Sequence, residues 1–170
     1  MEWYREGKNG VEKDKQQAYF WLVQSHKKKA DDGDNDSTYI LGQAYMLAKL
    51  GLGKNVKEAY QWFKKGADRR DARSMSCASW FLFNGTGVTK NAVYGMMLLS
   101  TAASMGSDSA SYRIGKFFLD GSLGMPKDHQ QAKYWLTRAV DGSCTIKHAD
   151  EKILREARRA LARIEDAGSG

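Results

Sequence analysis

Three histidines and two cysteines, His26, His129, His148, Cys77 and Cys144, are the first side chains to weigh for nucleophilic attack, proton transfer or metal ligation. A hydrolytic or zinc centre that is legible in sequence brings such groups together at short fixed spacing, as in two histidines four apart on one helix face. Here the histidines are scattered, and two distant thiols supply neither a four-ligand zinc set nor a disulfide framework. Glycine-rich turns at Gly7-Lys8-Asn9-Gly10-Val11, Gly51-Leu52-Gly53, Gly85-Thr86-Gly87-Val88 and Gly121-Ser122-Leu123-Gly124 would suit phosphate only if they joined a strand to a helix. The apolar spacing on both sides of them is helical, so they read as turns between helices. No catalytic residue, metal or cofactor is therefore expected. The histidines read as surface residues and Cys77 as a small residue within a helix, and a Cys77–Cys144 bridge is not expected. An enzyme could be built only by spatial convergence, with Cys144 near His129 or His148.

The elements that position these residues repeat along the chain. A small residue followed three positions later by a large one recurs as Ala18 with Trp21, Ala59 with Trp62, Gly95 with Leu98 and Ala132 with Trp135, at steps of 41, 36 and 37 residues. Four positions before each small residue stands Asp14, Asn55, Asn91 or Asp128, the residue type whose side-chain oxygen caps a helix N-terminus. Upstream of each turn is another helical stretch, with Gly42, Ser79 or Gly115 followed three later by Tyr45, Leu82 or Phe118. Small residues let two helix backbones approach closely. The unit is thus helix, glycine turn, helix, and such hairpins bury their apolar faces only by stacking.

Composition agrees with a stack of this kind. The 170 residues carry 27 Lys and Arg against 20 Asp and Glu, a net +7, with 42% hydrophobic and 28% charged residues. No stretch approaches the roughly 18 apolar residues of a membrane span, and Met1-Glu2-Trp3-Tyr4-Arg5-Glu6 lacks the apolar core of a signal peptide. The sequence predicts an all-α, right-handed α/α superhelix of about four units. The units fall at about 1–36, 37–71, 72–108 and 109–149, followed by a capping helix over 150–167 and a tail at 168–170. Trp3-Tyr4 falls where a first helix should be ending, so the first unit is expected to be incomplete. Lys27 to Asp34 reads as a long loop between units. Lys54 to Arg73 holds seven basic against three acidic residues, read as a solvated helix face or, more sharply, as a surface for an acidic partner protein.

The clearest unit, running through Ala110, Ile114-Gly115, Phe118, Gly121, Asp128, Ala132 and Trp135 to Ala139 and Gly142, resembles the Sel-one-like repeat family, a relative of tetratricopeptide solenoids. The resemblance covers about Met1 to Gly142. Ser79 and Gly95 exchange the usual Gly and Ala, and Leu98 replaces Trp. It implies a protein-interaction module whose bacterial members act as adaptors, or as immunity proteins neutralising secreted effectors such as phospholipases, in the periplasm or cytoplasm. The alternative it implies is a hydrolase or β-lactam-binding enzyme, as linked to cysteine-rich relatives, but the per-repeat cysteine pairs of those relatives are missing here.

In solenoids of this kind the first helices line the concave side. Positions there that vary between units are Tyr39, Gln43 and Met46, then Ser76, Trp80 and Phe83, then Tyr112, Lys116 and Leu119. Tyr39, Gln43, Met46, Trp80, Phe83, Tyr112, Lys116 and Leu119 are the expected partner-binding residues, an aromatic stripe of the kind found at interface hot spots. The expected partner is a protein, acidic or a secreted effector, and not nucleic acid, with the chain itself a monomer until bound.

Overall fold

The computed structural model describes residues 14–168. The Trp3-Tyr4 end of the first unit, the turn Gly7 to Val11, and Ser169-Gly170 lie outside the described residues. Within them the chain is an α solenoid of eight α-helices: α1 (Lys15–Asp31), α2 (Asn35–Leu47), α3 (Val56–Asp68), α4 (Ala72–Asn84), α5 (Ala92–Ser104), α6 (Asp108–Asp120), α7 (His129–Val140) and α8 (Glu151–Gly168). All four expected caps form. The side chains of Asp14, Asn55, Asn91 and Asp128 accept backbone N–H bonds at the starts of α1, α3, α5 and α7. Each such cap contributes about 1 kcal/mol. The first helices α2, α4 and α6 are capped in the same way by Asp34, Asp71 and Ser107.

Lys27 to Asp31 is a correction to the sequence reading, because these residues continue α1 and only Asp32 to Asp34 turn. Charge suggested a loop, but Lys and Ala are strong helix formers and Lys28 and Lys29 suit the negative end of the helix dipole.

The small residues of the first helices do bring helices close. A Cβ built on Gly42 would lie 2.7–2.9 Å from the Phe63 ring of α3, and one on Gly115 would lie 2.8 Å from Leu136 of α7. Phe63 is wholly buried and stacks at 5.8 Å from both Tyr39 and Phe81, so α2, α3 and α4 share one aromatic core. At the far end, Ala157 and Ala160 of α8 bury against Ala132 and Leu136 of α7. The loop leading to α8 is held by backbone pairing: Ile146 N–H donates to Gly106 O (3.0 Å), and Asp108 N–H donates to Ile146 O (3.1 Å).

His129 is exposed, as expected, but His26 and His148 are a second correction. His148 is largely covered beside Asp108, its Nδ1 3.6 Å from that carboxylate, and His26 lies 2.9 Å from the Ser37 hydroxyl. Burial is the main cause holding both rings below the ordinary histidine value of 6.5, assisted at His26 by Lys29 and opposed at His148 by Asp108. The folded chain therefore binds fewer protons than the unfolded chain as pH falls below that value. Stability from these rings is complete above about 6.5 and is lost on acidification through the range below it. The melting temperature should drop between pH 7.5 and 5.5, and combining His26→Gln with His148→Gln should flatten the slope. An unchanged slope would show that other groups set it.

Candidate partner-binding surface

The expected site residues fall on one row of helices, α2, α4 and α6, but differ in how far they are free. Trp80 is 40% exposed and leans edge-on against Phe81 at 5.1 Å. Tyr39 is half-buried under the Arg73 guanidinium, 5.1 Å from its ring centroid, and its hydroxyl accepts from Gln43 Nε2 at 2.9 Å. Burial, then the neighbouring Cys77 thiol, pushes the Tyr39 hydroxyl well up. Met46 and Phe83 pack against the central core. Phe83 meets Phe117 edge-on at 5.2 Å, and a Cβ on Gly95 would lie 2.8 Å from its ring. It joins α4, α5 and α6.

Tyr112, Lys116 and Leu119 come together in one cleft of about 470 Å3 between α6 and α8, closed by Asp120, Glu156, Arg159, Ala160 and Arg163. Tyr112 donates its hydroxyl proton to Glu156 at 2.7 Å, and Lys116 pairs with Asp120 at 3.1 Å. Burial, then the Glu156 bond, raises the Tyr112 hydroxyl. The residues from α8 escaped the sequence reading because that helix read only as a cap. Arg113 escaped it too, since it sits one residue off the helical stripe. It donates to Ser76 O at 2.7 Å and has no carboxylate partner among the described residues, and burial lowers its pKa.

The basic cluster is partly neutralised in three dimensions, three of its seven cations being ion-paired. Lys64 pairs with Asp68 (2.7 Å), Lys65 with Asp31 (2.6 Å) and Arg73 with Asp36 (2.6 Å), so two of the three acids come from outside the cluster. Among the described residues neither thiol is hydrogen-bonded to a histidine. Cys144, 2% exposed, gives its thiol proton to Arg138 O at 3.1 Å, and burial pushes Cys77 up to about 11. Both cysteines are free. A thiol of raised pKa, such as Cys77, is a poor nucleophile. No group of three metal-ligating side chains occurs among the described residues, and no described helix is long and apolar enough to cross a membrane.

Four segments, residues 2–25, 35–71, 74–107 and 108–144, match the Sel1 repeat model, and the chain belongs to the Sel1 repeat family, whose members are generally protein-interaction modules. It is similar to Protein SHC1 of Saccharomyces cerevisiae, 32% identical over 117 residues, which is 67% of this chain and 23% of that protein. It is also similar to Chitin synthase regulator SKT5 of the same yeast, 32% identical over 122 residues, or 69% of this chain and 17% of that protein. The chain thus spans less than a quarter of the length of these curated relatives. Among solved structures, a Sel1 repeat protein from Oxalobacter formigenes superposes with TM-score 0.60 and 26% identity, over 81% of this chain and 97% of that one. The antigen c5321 of uropathogenic Escherichia coli superposes with TM-score 0.66 at 22% identity, over 95% of this chain and 36% of that one, a likeness of fold alone.

Proposed function

We propose that this chain is a non-enzymatic interaction module that holds a partner protein on the face formed by α2, α4 and α6. Trp80, Arg113 and the Tyr112–Lys116–Leu119 cleft make the contacts, and the role is that of a regulator or adaptor. The observation that carries the reading is Trp80. A tryptophan left 40% exposed in the middle helix of the row is the residue type most enriched at binding hot spots. The regulatory role draws on the yeast relative named as a chitin synthase regulator. An immunity protein for a secreted effector would use the same face, and recovery of one toxin from the native host would select that version over an adaptor with several partners.

Packing supports treating Trp80 and Phe83 differently: Trp80 is 40% exposed, and Phe83 sits against Phe117 and Gly95. Trp80→Ala combined with Lys116→Glu should cut partner retention from native extract at least tenfold with helicity and melting unchanged. Phe83→Ala should instead lower stability by about 2–4 kcal/mol, because it vacates packed space between three helices. Equal melting for Trp80→Ala and Phe83→Ala would contradict this division. A hydrolase reading has only the two thiols to stand on, Cys144 buried and Cys77 half-buried. Turnover in a broad hydrolase and β-lactam panel that is abolished by Cys144→Ser would overturn the binding-module reading.

A further inference from the structure

A groove of about 720 Å3 runs along the seam between α5 and α7, on the second helices and away from Trp80, lined by Val93, Met96, Met97, Leu123, Met125 and Trp135 among others. In a chain with 28% charged residues, α5 carries no charged side chain at all. It nevertheless leaves Val93 84% and Met97 56% exposed, beside Leu123 at 39%. Contiguous exposed apolar surface of this kind marks an interaction site more often than chance.

The repeat register shows why this seam is open when its neighbour is closed. Between α3 and α5 the space is taken by Tyr60, which is 6% exposed, and by half-buried Tyr94. Burial, then the nearby Tyr94 phenol, pushes the Tyr60 hydroxyl upward. One unit later, the places of Tyr60 and Tyr94 are held by Met96 and Gln131, both lining the groove. Two rings are replaced by flexible chains, and the seam remains unfilled.

Backbone geometry points the same way. Leu50 and Leu123 both stand two residues beyond a left-handed helix cap and are themselves left-handed, at φ 56 and 58, where the intervening unit has Gly87. Leu50 packs against the core of its unit, which offsets the conformational cost. Leu123 bears the same cost with its side chain at the rim of the groove.

No charged residue lines the groove itself, and two lysines flank one end of it. Lys90 and Lys127 directly precede Asn91 and Asp128, the caps of α5 and α7, and neither has an ion-pair partner among the described residues. At the other end the Arg138 guanidinium lies 5.7 Å from the Trp135 ring and donates to Ala103 O at 3.2 Å. The lining of α5 runs from Ala92 to Ser100, about 12 Å at 1.5 Å per residue. That is the span of apolar anchors at i, i+3 or i+4, and i+7 of a docked helix. Methionines adapt to such a guest.

We propose that the α5–α7 seam is a docking site for one amphipathic helix of a partner protein, presenting three apolar anchors on one face and acidic residues at the end that meets Lys90 and Lys127. The site is independent of the Trp80 face. The test uses fluorescein-labelled, helix-biased peptides of about four turns with Leu or Met anchors, ended in Glu pairs or in Lys pairs, and a third version with anchors replaced by Ser. The Glu-ended peptide should bind saturably and at least tenfold tighter than the Lys-ended one at low salt, and the Ser version should not bind. Val93→Gln with Met97→Gln should weaken binding at least tenfold with melting unchanged, Leu123→Gly should weaken it while melting holds or rises, and Trp80→Ala should leave it intact. Absent binding, equal affinity for the Lys-ended peptide, or binding that survives the Val93 and Met97 changes would overturn the proposal. So would sedimentation showing a dimer that the same changes dissociate, since the occupant would then be a second copy.

Discussion

Asp108→Ala should cost this chain about 3–5 kcal/mol and free α8 from the end of the solenoid. Asp108 is 3% exposed, and its Oδ1 accepts N–H groups from Ser109 at 2.6 Å, His148 at 3.0 Å and Ala149 at 3.0 Å. Two of those donors belong to the loop that carries α8, so one side chain ties the last helix to the start of α6. Removing it leaves the Ser109 N–H and the part-buried N–H groups of His148 and Ala149 without the acceptor they use here, a larger loss than the bond energy itself. Asp108→Asn retains one carbonyl oxygen and should recover part of the loss. Denaturant unfolding gives the energy, and hydrogen exchange gives the location: amides of Glu151 to Asp166 should lose protection before those of α3 and α4. Wild-type protection there in Asp108→Ala would show that the apolar contacts of Ala157 and Ala160 hold α8 unaided.

That tether marks the boundary of what the sequence could reveal. The caps at Asn55, Asn91 and Asp128 are local, and their meaning follows from one residue type and a fixed offset to the next apolar position. The helix pairs and their number follow from the same register. Asp108 joins residues some forty positions away through backbone N–H groups, which leave no trace in side-chain type or period. The same holds for the cleft between α6 and α8, where Tyr112 finds Glu156, and for Arg73 on α4, whose partner Asp36 sits on α2. His148 misled because a lone histidine is usually wet, while here the loop that carries it docks the ring beside Asp108. Phe83 is a different case: its position varies between units, which suggests a free surface, and its ring also packs into space left by Gly95, itself a departure from the usual small residue. The open α5–α7 seam was latent in the register and became visible only once Tyr60 and Tyr94 were seen to fill its neighbour.

The strongest test of the close-packing logic is Phe63→Ala beside Gly42→Ala. Phe63 is fully buried and touches the rings of Tyr39 and Phe81, so its loss leaves a cavity worth about 3–5 kcal/mol. Gly42→Ala alone drives a methyl to within 2.7–2.9 Å of three atoms of that ring. Overpacking costs about 1–3 kcal/mol, against which alanine's better helix propensity returns up to about 1 kcal/mol. In the double variant the ring is gone, so the new methyl enters vacated space and keeps its propensity gain. The two changes should therefore fall short of additivity by about 1 kcal/mol or more, in the favourable direction, as expected for residues in direct contact. The sequence paired Gly42 with Tyr45, three positions along its own helix, whereas the structure pairs it with Phe63 across the hairpin. Additive energies for Gly42→Ala and Phe63→Ala would mean that α2 shifts to accommodate the methyl. The spacing between the two helices would then be set elsewhere in the unit.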